Sequence, residues 1–267
     1  MKKYNNNGFK PSRSLGQNFL ADPNIAERIA ELSGADETRG VVEIGAGTGV
    51  LTAALAKRAR KVVSLEIDSR LIPVLTDTLK CYDNIEIIHQ DALKANFSAI
   101  CGERLGGLRP MLCANLPYNI TTPLLTAILA PACFEHAAVM IQREVGLWLA
   151  AAAGTPEYGA FTLFVQNRAD VRIVLNVPPQ CFKPAPKVDS AVVVLTRVPL
   201  RCANPMFERV VRSAFAQRRK QLINALSAGL CMERGATAEI LERCGISPQA
   251  RGETLTLEQF ADIADNL

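Results

Sequence analysis

The sequence predicts an α/β protein in which a parallel sheet wrapped by helices is followed by a small helical domain. Between Val41 and about Arg197, short β-branched or apolar runs alternate with longer helical patterns. The first of those runs leads straight into a glycine-rich turn, Gly45-Ala46-Gly47-Thr48-Gly49. After Thr196 the β-branched runs stop and apolar residues recur at helical spacing.

Each element has its own signal. Asp22-Pro23, ahead of residues 24–32, supplies an N-cap and a proline at the first helical position, so a helix precedes the first strand. Strands are expected at 41–44, 62–67, 85–90, 111–114, 137–141, 171–177 and 191–196, with intervening helices at 48–60, 69–80 and 122–129. In the tail, Phe207, Val210, Val211, Ala214 and Phe215, then Leu222, Ile223 and Leu226, mark apolar helix faces, and 256–264 forms a last short helix. A boundary near Val198-Pro199 divides a domain of residues 1–198 from a helical one of 199–267.

Composition limits what the protein can be. With 267 residues, 49% hydrophobic and 21% charged, the chain can bury a sizeable core, which excludes intrinsic disorder. No apolar run approaches the roughly 18 residues of a membrane span. Residues 1–18 are polar and basic without an apolar segment, so the expected address is the cytoplasm and no membrane contact is expected. The eight cysteines lie at least 12 residues apart with no C-x-x-C pair, and there are two histidines, so no metal site is expected.

The net charge of +4 hides an uneven distribution. Residues 1–21 form a basic N-terminal segment with Lys2, Lys3, Lys10 and Arg13 and no acid. Residues 197–224 hold Arg197, Arg201, Arg209, Arg212, Arg218, Arg219 and Lys220 against Glu208 alone. Arg218-Arg219-Lys220, with Arg209 and Arg212 one or two helical turns earlier, makes a cationic surface able to neutralise several phosphates. A charge run is usually a solvated face, but two such patches bracketing a near-neutral middle favour RNA over a small molecule as the partner.

The G-x-G-x-G turn lets a ligand approach the end of the first strand. Its spacing differs from the G-x-G-x-x-G that seats a pyrophosphate, so a ligand without phosphates fits better. Alone, such a loop is as often a mere strand-to-helix turn. Glu66 closes the second strand 21 residues after Gly45, where a carboxylate can accept hydrogen bonds from ribose hydroxyls, and Asp91 closes the third, beside the place for an adenine. Three successive strand ends serving one crevice favour an adenosine-type ligand.

The fourth strand ends in Asn115-Leu116-Pro117-Tyr118. The Asn115 amide oxygen and the Leu116 carbonyl can both accept from an exocyclic amino group, and Tyr118 offers a ring for stacking. Pro117 fixes the turn and removes a competing N–H. An adenine amino nitrogen is a poor nucleophile until acceptors help it pyramidalise, after which orientation against an electrophilic methyl does most of the catalysis. Phe182, between Pro179 and Pro184, reads as a loop aromatic held exposed by stiff prolines.

These motifs occur together in a known order. Leu15-Gly16-Gln17-Asn18-Phe19-Leu20, Glu43-Ile44-Gly45-Ala46-Gly47-Thr48-Gly49, Leu65-Glu66-Ile67-Asp68, Asn115-Leu116-Pro117-Tyr118-Asn119-Ile120 and Phe182-Lys183-Pro184-Ala185-Pro186-Lys187-Val188-Asp189-Ser190 resemble the ribosomal RNA adenine dimethyltransferases over nearly the whole chain, most nearly the bacterial small-subunit (16S) group. The resemblance implies a Rossmann-like class I methyltransferase domain that uses S-adenosylmethionine and releases S-adenosylhomocysteine. It implies that Asn18, Leu20, Gly45, Glu66, Asp91 and Asn115 hold that cofactor, and that Asn115, Leu116, Pro117, Tyr118 and Phe182 serve a flipped target adenine. The implied function is dimethylation of two adjacent adenosines of 16S rRNA during ribosome biogenesis, by a monomer whose helical domain binds RNA. A large-subunit rRNA dimethyltransferase, a DNA adenine methyltransferase and a non-catalytic or dual-role small-subunit assembly factor are the alternatives.

Overall fold

The Asp22 side chain accepts from the Asn24 amide at 2.9 Å and opens α1 (Pro23–Leu32), which buries Ala26, Ile29 and Ala30. Before it lies a two-residue strand, β1 (Phe19–Leu20). The computed structural model describes residues 11–12, 15–217 and 219–267; Lys2, Lys3, Lys10, Arg13 and Arg218 therefore lie outside the described residues. From α1 the chain continues through β2 (Arg39–Ile44), α2 (Val50–Ala56), β3 (Lys61–Glu66), α3 (Ile72–Thr78), β4 (Ile85–His89), α4 (Phe97–Arg104), β5 (Arg109–Asn115), α5 (Thr121–Leu129), β6 (His136–Gln142), α6 (Arg143–Ala150), α7 (Ala160–Gln166), β7 (Ala169–Val177), β8 (Phe182–Lys183) and β9 (Ser190–Arg197). The helices α8 (Phe207–Ala216), α9 (Leu222–Leu230), α10 (Arg234–Arg243) and α11 (Leu257–Asp265) complete it.

Seven strands form one sheet in the order β4-β3-β2-β5-β6-β9-β7, and β1 pairs antiparallel with β8 apart from it. The pairs β2–β3, β2–β5, β3–β4 and β5–β6 are parallel. The order runs β2, β3, β4 outward on one side and β5, β6 and then β9 and β7 on the other, so the topological switch falls between β2 and β5. In open α/β sheets the carboxyl ends at that point flank a crevice in which ligands bind. All six residues of β2 are buried, as expected of a central parallel strand covered on both faces.

The chain forms two compact units. One holds the described residues up to Arg143 together with Val174–Val194; the other holds Glu144–Ile173 and Leu195–Leu267. The first unit's core gathers Val41, Leu55, Val62, Met111, Met140 and Val192, each fully or almost fully buried. The second packs Phe207, Leu226, Leu241, Phe260 and Ile263 around one another, with the Phe215 ring 6.0 Å from both Tyr158 and Phe260. Thr256 caps α11 in a reciprocal capping box with Gln259. No helix of the described residues is long and apolar enough to cross a membrane.

Candidate active site

The register of β2 against β5 brings the two motif-bearing strand ends together. Ile44 pairs with Ala114, so Gly45 and Asn115 leave the sheet side by side. At Gly45 (φ +77°) there is room for an added Cβ, which would meet nothing nearer than the Asn115 carbonyl at 3.9 Å. At Gly47 (φ +58°) an added Cβ would instead stand 2.8 Å from Cδ1 of Phe19, whose ring lies over the loop. A small cavity of about 70 Å³ remains here, lined by residues 15–19, Gly45, Gly47, Glu66, Ile67 and Asn115 to Tyr118. Of the expected cofactor residues, Asn18, Gly45, Glu66 and Asn115 thus line one cavity.

Glu66, at the end of β3, is 4% exposed, and its two carboxylate oxygens accept from the Gly47 amide at 2.9 Å and the Asp68 amide at 2.8 Å. Burial pushes its carboxyl above the ordinary value, and the backbone amides oppose that rise. Beside it, hydrogen bonds from the Arg70 guanidinium outweigh the cost of burial and, with Gln17, hold Asp68 down at about 2. The Gln17 amide donates to Asp68 Oδ2 at 2.9 Å and so ties the segment before β1 to the end of β3. Asp91 caps a short turn at Ala92–Lys94 through the Leu93 amide at 3.0 Å, and apolar surface is available nearby, since Ile67 and Leu93 are 47% and 41% exposed. Leu20 is not at the cavity surface; it is buried in the core and paired with Phe182.

At the other strand end, the Asn115 Nδ2 donates one hydrogen to the Asn18 carbonyl at 3.0 Å, which orients the carboxamide, and its Oδ1 is an acceptor that can serve a substrate amino group. The buried Leu116 is pinned by its N–H to the Met140 carbonyl at 3.0 Å, and Thr121 Oγ1 donates to the Pro117 carbonyl at 3.1 Å. Tyr118 is half-buried; its phenol oxygen lies 2.6 Å from Ser190 Oγ. Burial raises its hydroxyl above the usual value, so the phenol stays neutral.

Phe182 departs from its expected exposure. It is 2% exposed, because β8 places it opposite Leu20 and turns it into the core that also holds Cys181 and Val177. The prolines around it do stiffen a loop, but the two-residue pairing with β1 decides which way the ring points. Sequence reasoning did not single out Gln17, Asp68, Thr121 or Ser190 as site-supporting residues. Gln17, Asp68 and Ser190 all fall inside the motifs, yet a motif does not reveal which of its members support the others.

In the second unit, Arg219 and Lys220 are exposed between α8 and α9. Arg209, Arg212 and Arg168 line a groove of about 670 Å³, roughly ten times the cavity at the glycine loop. Its charge is partly internal: Glu208 accepts from Arg168 at 2.6 Å and from Arg212 at 2.8 Å, and Arg168 also lies 4.0 Å over the Phe164 ring. Volume therefore does not locate the chemistry, since the larger hollow has neither the glycine loop nor the amide acceptors.

Comparison with known proteins agrees with this geometry. Residues 8–267 match the family model described as ribosomal RNA adenine dimethylase. The chain is 44% identical to the ribosomal RNA small subunit methyltransferase A of Geobacillus thermodenitrificans, over 97% of this chain and 92% of that one. It is 43% identical to the protein of the same name from Lysinibacillus sphaericus, over 100% and 93%. Among solved structures, a dimethyladenosine transferase from Plasmodium falciparum superposes with a TM-score of 0.78 at 26% identity, over 92% of this chain and 95% of the other. The 23S rRNA methyltransferase ErmE gives 0.71 at 29%, over 94% and 99%.

Proposed function

The chain belongs to the ribosomal RNA adenine dimethylase family, enzymes that depend on S-adenosylmethionine, and from that premise we propose that it dimethylates two adjacent adenosines in the RNA of the small ribosomal subunit. The observation that carries the reading is the pairing of Ile44 with Ala114, which sets the open face of Gly45 beside Asn115 at the sheet's switch point. The small-subunit target is supported by the names of the relatives at 42–44% identity.

The residues fit the cofactor. Open space in front of Gly45 suits the methionine part, Glu66 is a buried carboxylate at the ribose position, and Asp91 with the exposed Ile67 and Leu93 suits the adenine. The cavity of about 70 Å³ takes in the Gly45, Glu66 and Asn115 part of this space and not Asp91 or Leu93. S-adenosylmethionine supplies an electrophilic sulfonium methyl. Asn115 Oδ1 and the Leu116 carbonyl accept from the adenine amino group and aim its nitrogen lone pair along one line. Pro117 offers no competing N–H, and the neutral Tyr118 ring stacks on the base. Proximity and orientation account for the rate without a dedicated general base.

Arg218, Arg219 and Lys220 bind RNA phosphates, supported by the exposure of the latter two and by the arginine-lined groove. The protein acts as a monomer on the small-subunit particle. The test incubates it with radiolabelled S-adenosylmethionine and, separately, unmethylated small-subunit particles, large-subunit particles and duplex DNA. Dimethyladenosine in small-subunit RNA alone is expected; label only in large-subunit RNA or DNA would overturn the target. Cofactor binding with no transfer would leave an assembly factor.

A further inference from the structure

Two aromatic side chains line the cavity at the switch point. Phe19 lies over Gly47, whereas Tyr118 follows the Asn115 acceptors. Phe182, the other ring the motifs suggested for the base, is in the core. Tyr118 is therefore the wall already standing where the target adenine arrives, and its orientation matters.

That orientation is fixed at both ends. The backbone before and after Tyr118 is held by the Leu116 N–H on the Met140 carbonyl and by Thr121 Oγ1 on the Pro117 carbonyl. At the far end of the ring, the phenol oxygen shares a 2.6 Å hydrogen bond with Ser190 Oγ. Ser190 has nowhere to go: it is 0% exposed, opens β9, and follows Asp189, whose carbonyl accepts from the Arg143 N–H at 2.9 Å. A tyrosine ring has two soft torsions, and fixing both its Cα and its phenol oxygen sets the axis of the ring. The bond also gives the phenol a partner within the protein, so that it does not compete for the polar groups of a bound base.

We infer that Ser190 is a positioning residue for methyl transfer: without touching the substrate, it holds the Tyr118 ring as a preformed wall for the target adenine. The inference rests on the reading of Tyr118 as the stacking wall. Ser190→Ala and Tyr118→Phe delete the same bond and keep the ring. Each is expected to lower kcat on unmethylated small-subunit particles about tenfold, the loss of one hydrogen bond, at saturating S-adenosylmethionine. Cofactor affinity by calorimetry should be unchanged. The double variant should be no slower than either single one, because only one bond is removed. Ser190→Thr, which keeps a hydroxyl, should restore part of the rate.

Unchanged kcat in Ser190→Ala, or effects of the two substitutions that multiply, would overturn the proposal. Tyr118→Phe, at a half-buried position, tests the same bond even if Ser190→Ala fails to fold. Tyr118→Ala separates the two failures. If it keeps full turnover, the stacking reading itself falls; if it is inactive while Ser190→Ala is normal, Ser190 alone loses its role.

Discussion

In the sheet unit two acids of the candidate site are buried: Glu66 is 4% exposed and Asp68 5%, both accepting from main-chain amides and Asp68 also from the Arg70 guanidinium. In the helical unit several basic groups are displayed, Arg212 with a side chain 75% exposed beside Arg209, Arg219 and Lys220, while Glu208 pairs with Arg168 and Arg212. The first arrangement fixes atoms to within a hydrogen-bond length, as catalysis requires. The second offers exposed positive charge, as binding to a phosphate backbone requires. On the proposed reading the first unit supplies the chemistry and the second the grip on RNA, and variants in each should change different observables.

The largest effect expected is at Asn115. Asn115→Ala removes the side-chain acceptor and the tie to Asn18, and should lower methyl transfer at least about 100-fold while RNA affinity stays near wild type. Full turnover in that variant on unmethylated small-subunit particles would erase the division. Next comes Glu66→Ala, expected to weaken S-adenosylmethionine binding about 10- to 100-fold by calorimetry, since hydrogen bonds to a charged group are removed. The RNA footprint should not respond. On the other side, neutralising Arg218, Arg219 and Lys220 should weaken RNA binding and flatten its salt dependence by about one unit of slope for each phosphate no longer neutralised. Cofactor affinity should be untouched, and an unaltered salt slope would move the footprint away from this turn.

How far these roles can be read from the sequence differs between the units for a physical reason. The parallel strands are legible because buried central strands are continuous apolar runs, and the glycine turn and the Asn-Leu-Pro-Tyr segment mark their ends. Helix limits are less so: 48–60 shortens to α2 at Val50–Ala56, since Thr48-Gly49 is still turn and Gly49 has φ +82°. In the tail, α8 follows its apolar repeat, whereas α10 escapes sequence reasoning because its polar sequence shows little periodicity. The two residues of β1 and of β8 are too short to carry a pattern, and their pairing is what buries Phe182. That Glu144–Ile173 clusters with the tail is a long-range packing outcome which local signals do not encode.

The last comparison takes one acid from each unit, the fully buried Glu43 and the half-buried Glu208, and reads stability in place of activity. Glu43, in β2 two residues before Gly45, is 0% exposed; its Oε2 accepts from Thr52 Oγ1 and Ser64 Oγ, both at 2.7 Å, while Oε1 has no partner among the described residues. Burial, only partly opposed by those hydroxyls, pushes its carboxyl up from 4.5 to about 7. The folded protein thus keeps this proton to a higher pH than the unfolded chain does. Its contribution to stability is complete below about 4.5 and is lost as the pH rises to about 7, a change of at most roughly 3 kcal/mol. Glu208 has the opposite sign: burial alone would raise it, but the Arg168 and Arg212 guanidiniums hold it below its ordinary value. Its contribution is present at neutral pH and fades in acid. Urea unfolding at several pH values should therefore show Glu43→Gln flattening the loss of stability between pH 5 and 8, and Glu208→Gln flattening the loss below pH 5. If Glu43→Gln left the neutral-side slope unchanged, the acid beneath the glycine loop would be ionised in the fold, and burial would not be what distinguishes it from Glu208.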